Sequence, residues 1–127
     1  MKPMQNSHRP VFLNLLQFRF PMAAIMSVGH RVAGVVMILA VPFAAYLLNL
    51  SLTGSDGFIE AKALLSGTFM KLVQFMVLWM LLHHLLAGIR YLLIDFDIGV
   101  EIDTARKSAV AVMVAAPVIA VLLEILI

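Results

Sequence analysis

An all-α integral membrane protein with three transmembrane helices is the fold class this sequence predicts, and three observations predict it. Of its 127 residues 63% are hydrophobic and 13% charged, with a mean hydropathy of +1.04, whereas a soluble domain is about half apolar and about a quarter charged. Charges divide the chain into long uncharged runs: 24 residues from Val32 to Ser55, 18 from Leu72 to Ile89 and 16 from Ser108 to Leu123, the last extended by Ile125–Ile127. About 20 apolar residues cross a bilayer as a helix. Glycine, aspartate and serine gather between the runs, where turns belong. The length fits one membrane domain, residues 1–127.

The chain opens on a polar segment, 1–20, that begins "MKPMQNSHRP". It has neither the apolar core and cleavage site of a signal peptide nor the Arg- and Ser-rich amphipathic character of an organelle leader, so a native start at Met1 and a bacterial source are expected. The first span is expected over about 21–52, with Pro21 in its first turn. "TGSDG", Thr53–Gly57, is expected as a turn, the second span over about 64–96, "DFDIGVEIDT" as a second loop, and the third span over about 104–127. Pro42 and Pro117 fall inside spans, where kinks are expected. Seven of the nine basic residues (Lys2, Arg9, Arg19, Arg31, Arg90, Arg106 and Lys107) fall on one side of this arrangement, against Lys62 and Lys71 on the other. The positive-inside rule then puts the N-terminus and second loop in the cytoplasm and the C-terminus in the periplasm. With no cysteine the chain offers no thiolate for zinc or an iron–sulfur cluster. A net charge of +2 gives no argument for nucleic acid.

Polar residues inside the spans carry the chemistry, because burying them in hydrocarbon without partners costs several kcal/mol. In "LLHHLLAGIRYLLIDFD", Leu81–Asp97, the residues His84, Gly88, Tyr91 and Asp95 are spaced 4, 7 and 11 from the first and share one helical stripe. A neutral imidazole can ligate iron, and a glycine one turn away lets a flat macrocycle approach the backbone. The same histidine could instead make an interhelical hydrogen bond. His83 points about 100° away from His84 and reads as a hydrogen-bonding or interfacial residue. Arg90 reads as a side chain snorkelling to the interface. In "SVGHRVAG", Ser27, Arg31 and Gly34 lie at spacings of 4 and 7 with His30 beside them. Serine and arginine can hydrogen-bond a quinone carbonyl or a carboxylate such as a haem propionate. Snorkelling of Arg31 and backbone bonding of Ser27 and His30 are the alternative.

Together "RPVFLNLLQFRFP", "SVGHRVAG" and "HHLLAGIRYLLIDF", in this order and spacing, resemble the cytochrome b membrane-anchor subunit of succinate dehydrogenase, respiratory complex II, in its proteobacterial form. The resemblance runs from Arg9 into the third span. It implies that His84 is the axial ligand of a haem b iron, that Ser27 and Arg31 lie at the ubiquinone site, and that His30 and Arg31 meet the haem propionates. It implies proton delivery near the quinone for Asp95. Tyr91 stands where the family often has histidine, so no haem role is carried to it, and none is carried to His83.

The implied protein is a helical bundle completed by a second small membrane-anchor subunit, which would supply the other haem ligand. A flavoprotein and an iron–sulfur subunit holding FAD and the clusters would dock on the cytoplasmic face, with lipid around the spans, in the bacterial inner membrane. Electrons from succinate would reach ubiquinone through this assembly, and the isolated chain would catalyse nothing. Two other readings are the anchor of a fumarate reductase oxidising quinol, and a purely structural tether without haem.

Overall fold

A computed structural model describes residues 19–126. They form α1 (Met22–Ser51), α2 (Ser55–Ser66), α3 (Thr68–Asp95) and α4 (Ile102–Leu126), with no strand among the described residues. α1, α3 and α4 are long and apolar enough to cross a membrane. α3 runs back antiparallel to α1 and packs on both α1 and α4, and α1 also touches α4. The start of α1, the end of α3 and the start of α4 therefore share one end of the bundle, called here the loop end. The expectations for residues 1–18 lie outside the described residues.

Each boundary has a local cause. Pro21 caps α1 in an extended conformation (φ −63°, ψ 148°), and its carbonyl accepts from the N–H groups of Ala24 and Ile25 at 2.9 and 3.2 Å. After α1 the chain reverses over Leu52–Gly54, where Gly54 has φ +127°, a conformation that favours glycine. The turn expected over Thr53–Gly57 is thus shorter, because Ser55 already opens α2. This short helix was not expected from the sequence, and it also takes Leu64–Ser66 from the expected second span. Gly57 and Ala61 are its buried residues, and a Cβ on Gly57 would collide with the Leu50 carbonyl and the Thr53 hydroxyl. Gly67, extended at φ −66° and ψ 143°, separates α2 from α3. The Gln74 side-chain amide donates to the Leu65 carbonyl at 2.8 Å, satisfying a carbonyl at the end of α2.

α3 ends one residue earlier than expected, in a Schellman motif. Asp97 takes φ +58°, its N–H donates to the Ile94 carbonyl at 2.9 Å, and the Ile98 N–H reaches back to the Leu93 carbonyl at 2.9 Å. Aspartate tolerates this left-handed position better than most residues. The loop then closes at Glu101, whose carbonyl accepts from the Ala105 N–H at 2.7 Å to start α4. α1 and α4 run on as single helices through Pro42 and Pro117.

The helices meet through small side chains. Ala33, Ala87, Ala109, Ala116 and Ala120 are fully buried, and Met26 is the largest fully buried side chain. Alanines let backbones approach closely, which is how helices gain contact in lipid, where apolar burial gives little drive. Large aliphatic and aromatic side chains such as Ile38, Leu39, Phe69, Leu92 and Ile125 face outward.

One expectation about α3 is overturned. Arg90 does not snorkel: it is 7% exposed, on the buried line His83–Ala87–Arg90. Its Nε–H donates to Ser108 Oγ at 2.9 Å and its Nη2 donates to the Ala105 carbonyl at 2.9 Å, while the Ser108 hydroxyl donates to the same carbonyl at 3.1 Å. α4 supplies two acceptors at the depth of the guanidinium, so the side chain finds partners inside the bundle without reaching for water.

Candidate functional site

Three histidines converge where the loop-end half of α1 crosses α3. The rings of His30 and His84 stack with centroids 4.0 Å apart and planes 13° apart. His84 Nδ1 lies 3.1 Å from the backbone carbonyl of His30. A carbonyl can only accept, so Nδ1 carries the proton and Nε2 holds the free lone pair. Tyr91 packs edge-on against His30 at 5.4 Å between centroids.

Glycines make room for these rings. A Cβ on Gly34 would stand 3.3 Å from His84 Cε1, tighter than most side-chain contacts, and one on Gly88 would stand 3.9 Å from His30 Nε2. On the neighbouring face of α3, His83 is 5% exposed, with its Nε2 lodged over Gly29. The Nε2 atoms of His30 and His83 are both buried, with no hydrogen-bond partner among the described residues.

The stripe expected on α3 is present. His84, Gly88 and Tyr91 are half-buried on the flank of the bundle, and Asp95, the last residue of α3, is exposed at the loop end. On α1 the structure separates two neighbours: His30 turns its ring into α3, whereas Arg31 is exposed. Ser27, one turn before Arg31, is half-buried. Neither the Ser27 hydroxyl nor the Arg31 guanidinium makes a hydrogen bond among the described residues. The interhelical histidine bond foreseen as one reading of His84 is therefore real, yet it uses only one ring nitrogen. Among the described residues no three His, Cys, Asp or Glu side chains gather as a metal site. An ion bound at His84 would need most of its donors from another group.

Sequence reasoning missed the Gly29–His83 contact and the Arg90–Ser108 pairing, because neither shows in the spacing of a single helix. The usable signal was the interval from His83 to Arg90: seven residues with Ala87 between them, the period of a buried helix face.

Residues 5–123 match the family described as the succinate dehydrogenase/fumarate reductase transmembrane subunit. The chain belongs to this family. Among its relatives is the succinate dehydrogenase cytochrome b556 subunit of Coxiella burnetii (strain RSA 493 / Nine Mile phase I), 38% identical over 110 residues that cover 86% of this chain and 88% of the relative. A second is the succinate dehydrogenase cytochrome b556 subunit of Paracoccus denitrificans, 30% identical over 122 residues covering 96% and 94%. The succinate dehydrogenase/fumarate reductase transmembrane subunits are parts of larger enzymes, and this multi-pass chain is one of them. The resemblance drawn from the three motifs is thus the family the chain matches.

Proposed function

We propose that this chain is the cytochrome b anchor subunit of a succinate:quinone oxidoreductase, one membrane domain that holds a haem b through His84 and helps form a ubiquinone-reduction site at Ser27 and Arg31. The observation that carries the haem assignment is the hydrogen bond from His84 Nδ1–H to the His30 carbonyl. Such a bond fixes the tautomer and ring direction of an imidazole whose Nε2 ligates a metal, and it raises the basicity of that nitrogen. The half-buried flank position of the ring suits a flat macrocycle lying against the helices. Both relatives carry cytochrome b556 in their names.

A haem b, when bound, would supply a one-electron redox centre. The chain's own residues do the rest. His84 offers Nε2, and His30 holds His84 by its carbonyl and ring, with the region of His30 and Arg31 assigned to the propionates. Arg31 and Ser27 offer donors to a quinone carbonyl, whose oxygen gains negative charge as electrons arrive. A fixed cation there favours the reduced form over the oxidised one, which is the differential binding catalysis requires. Asp95, exposed at the loop end, is positioned to pass protons from water.

The site lies on an open flank, and this chain would offer a haem iron there one histidine, His84. A second small membrane-anchor subunit is proposed to cover the flank and supply the other haem ligand. The iron–sulfur subunit and the flavoprotein, holding the clusters and FAD, would dock at the loop end. That end carries the described basic residues Arg19, Arg31, Arg90, Arg106 and Lys107, so it is assigned to the cytoplasm, with the C-terminus in the periplasm and the chain in the bacterial inner membrane.

The test is a pair of substitutions in the assembled complex. His84→Leu removes or strongly alters the low-spin haem b spectrum, while His83→Leu leaves axial ligation intact. An exchange of these two phenotypes would make the ligand assignment wrong, and a complex without any haem spectrum would leave a structural tether. Relative rates of succinate-to-ubiquinone and menaquinol-to-fumarate transfer separate the succinate dehydrogenase reading from the fumarate reductase one.

A further inference from the structure

His83 is the polar group that the proposed haem and quinone sites do not use. It is 5% exposed, it stands in the middle of a membrane-spanning helix, and its buried Nε2 has no hydrogen-bond partner among the described residues. A polar atom so placed has given up water and gained no partner in exchange, a loss that a leucine there would avoid. The explanation lies opposite, on α1. Gly29 presents only a Cα hydrogen where any other residue would present a Cβ, and a Cβ built there stands 2.8 Å from His83 Nε2, closer than real Cβ contacts come. The imidazole thus fits a notch that only glycine leaves open.

The notch has a definite neighbour. Gly29 precedes His30 and His83 precedes His84, so the next residue along each helix belongs to the pair in which the His30 carbonyl accepts from His84 Nδ1 and the two rings stack. The adjacent seats are equally close: Gly34 receives His84 and Gly88 faces His30. Across this crossing a side chain on either helix meets a glycine on the other, and the His83–Gly29 contact is the tightest of the three. We propose that His83 is a positioning residue: lodged in the Gly29 notch, it sets the separation and register of α1 on α3 and thereby the hydrogen bond that aims His84. This inference rests on the reading of His84 as the haem ligand.

The test is a double-mutant cycle in the assembled, purified complex: wild type, Gly29→Ala, His83→Ala and the two together. Two quantities are read in each, the low-spin haem signature (electron paramagnetic resonance g values and optical α-band) and the thermal unfolding midpoint. The methyl of Gly29→Ala forces His83 out of the notch or the helices apart, so haem is retained with shifted g values and a lowered midpoint. His83→Ala alone keeps haem with a smaller shift. In the double variant the smaller side chain accommodates the methyl, and both quantities return toward wild type. Equal effects of Gly29→Ala with and without His83 would overturn the proposal, as would a Gly29→Ala protein with an unshifted haem signature. If Gly29→Ala does not assemble, assembly of the double variant supports the proposal and its failure overturns it. The midpoints decide the packing contact even in a protein that carries no haem, so failure of the His84 assignment is distinguished from failure of the notch.

Discussion

Arg31 is a proposed site residue whose chemistry depends on what covers it. Its guanidinium is exposed on α1, one turn from the half-buried Ser27, and it makes no hydrogen bond among the described residues. On the proposed reading it donates to a quinone carbonyl, and a hydrogen bond to a charged group contributes about 1.5–3 kcal/mol. Arg31→Ala then slows succinate-to-ubiquinone transfer by roughly 10- to 150-fold, at about 1.4 kcal/mol per decade. Succinate oxidation by an artificial acceptor that takes electrons upstream stays near normal in the same preparation. Ser27→Ala is milder, since its hydroxyl makes a neutral bond. Arg31→Lys recovers only part of the rate, because it keeps the charge and loses the planar fork. Should both activities fall together in proportion to assembled complex, Arg31 is a structural residue and the quinone assignment fails. His84 differs from Arg31 in being aimed from within this chain, by the carbonyl of His30.

Among the elements, α4 is tied to α3 by one buried cation, beside the packing of its buried alanines. Arg90 on α3 donates to Ser108 Oγ and to the Ala105 carbonyl, and Ser108 closes the triangle on that carbonyl. The fork geometry of the guanidinium suits two acceptors one helical turn apart, which a lysine could not meet together. Ser108→Ala removes the partner of Nε–H and is expected to destabilise the anchor by about 1–3 kcal/mol, read as a lower thermal unfolding midpoint of the complex. Arg90→Ala costs more, and Arg90→Lys does not restore it. A Ser108→Ala change within about 0.5 kcal/mol of wild type, the range of surface substitutions, would show that the triangle contributes little. The same triangle places the loop end of α4 beside the end of α3, where the Schellman turn at Asp97 leaves Asp95 as the last helical residue.

As a whole the molecule is inside out relative to a soluble bundle: alanines at the crossings, and Val, Leu, Ile and Phe outside. In lipid the outward aliphatic surface carries no penalty, and close backbone contact is what remains to hold helices together. The polar side chains of the candidate site, Ser27, His30, Arg31, His84 and Tyr91, lie in the loop-end half of the bundle and are half-buried or exposed. The charge asymmetry makes the orientation testable. Reporter fusions at Met1, near Ser55, near Gly99 and after Ile127 are expected to read cytoplasmic, periplasmic, cytoplasmic and periplasmic. A cytoplasmic Ser55 would reverse the assignment of the loop end and, with it, the side from which the proposed reading brings protons and the iron–sulfur subunit to the site.

The sequence alone determined the class, the number of membrane spans and the family, because those depend on composition, on the lengths of uncharged runs and on motifs such as "SVGHRVAG" that are local in the chain. It also placed His84, Gly88, Tyr91 and Asp95 on one stripe, since that follows from the helical period alone. It did not reveal α2, whose twelve residues are too few and too mixed in polarity to stand apart from a loop. The fate of Arg90, the lodging of His83 over Gly29 and the bond from His84 to His30 were decided only by tertiary structure. The physical reason is the same in each case: a buried polar side chain takes the partner that another helix brings to its depth, and the period of one helix says nothing about the register of its neighbour. Arg90 could have reached for water, and it turned inward because Ser108 and Ala105 lie within 2.9 Å on α4.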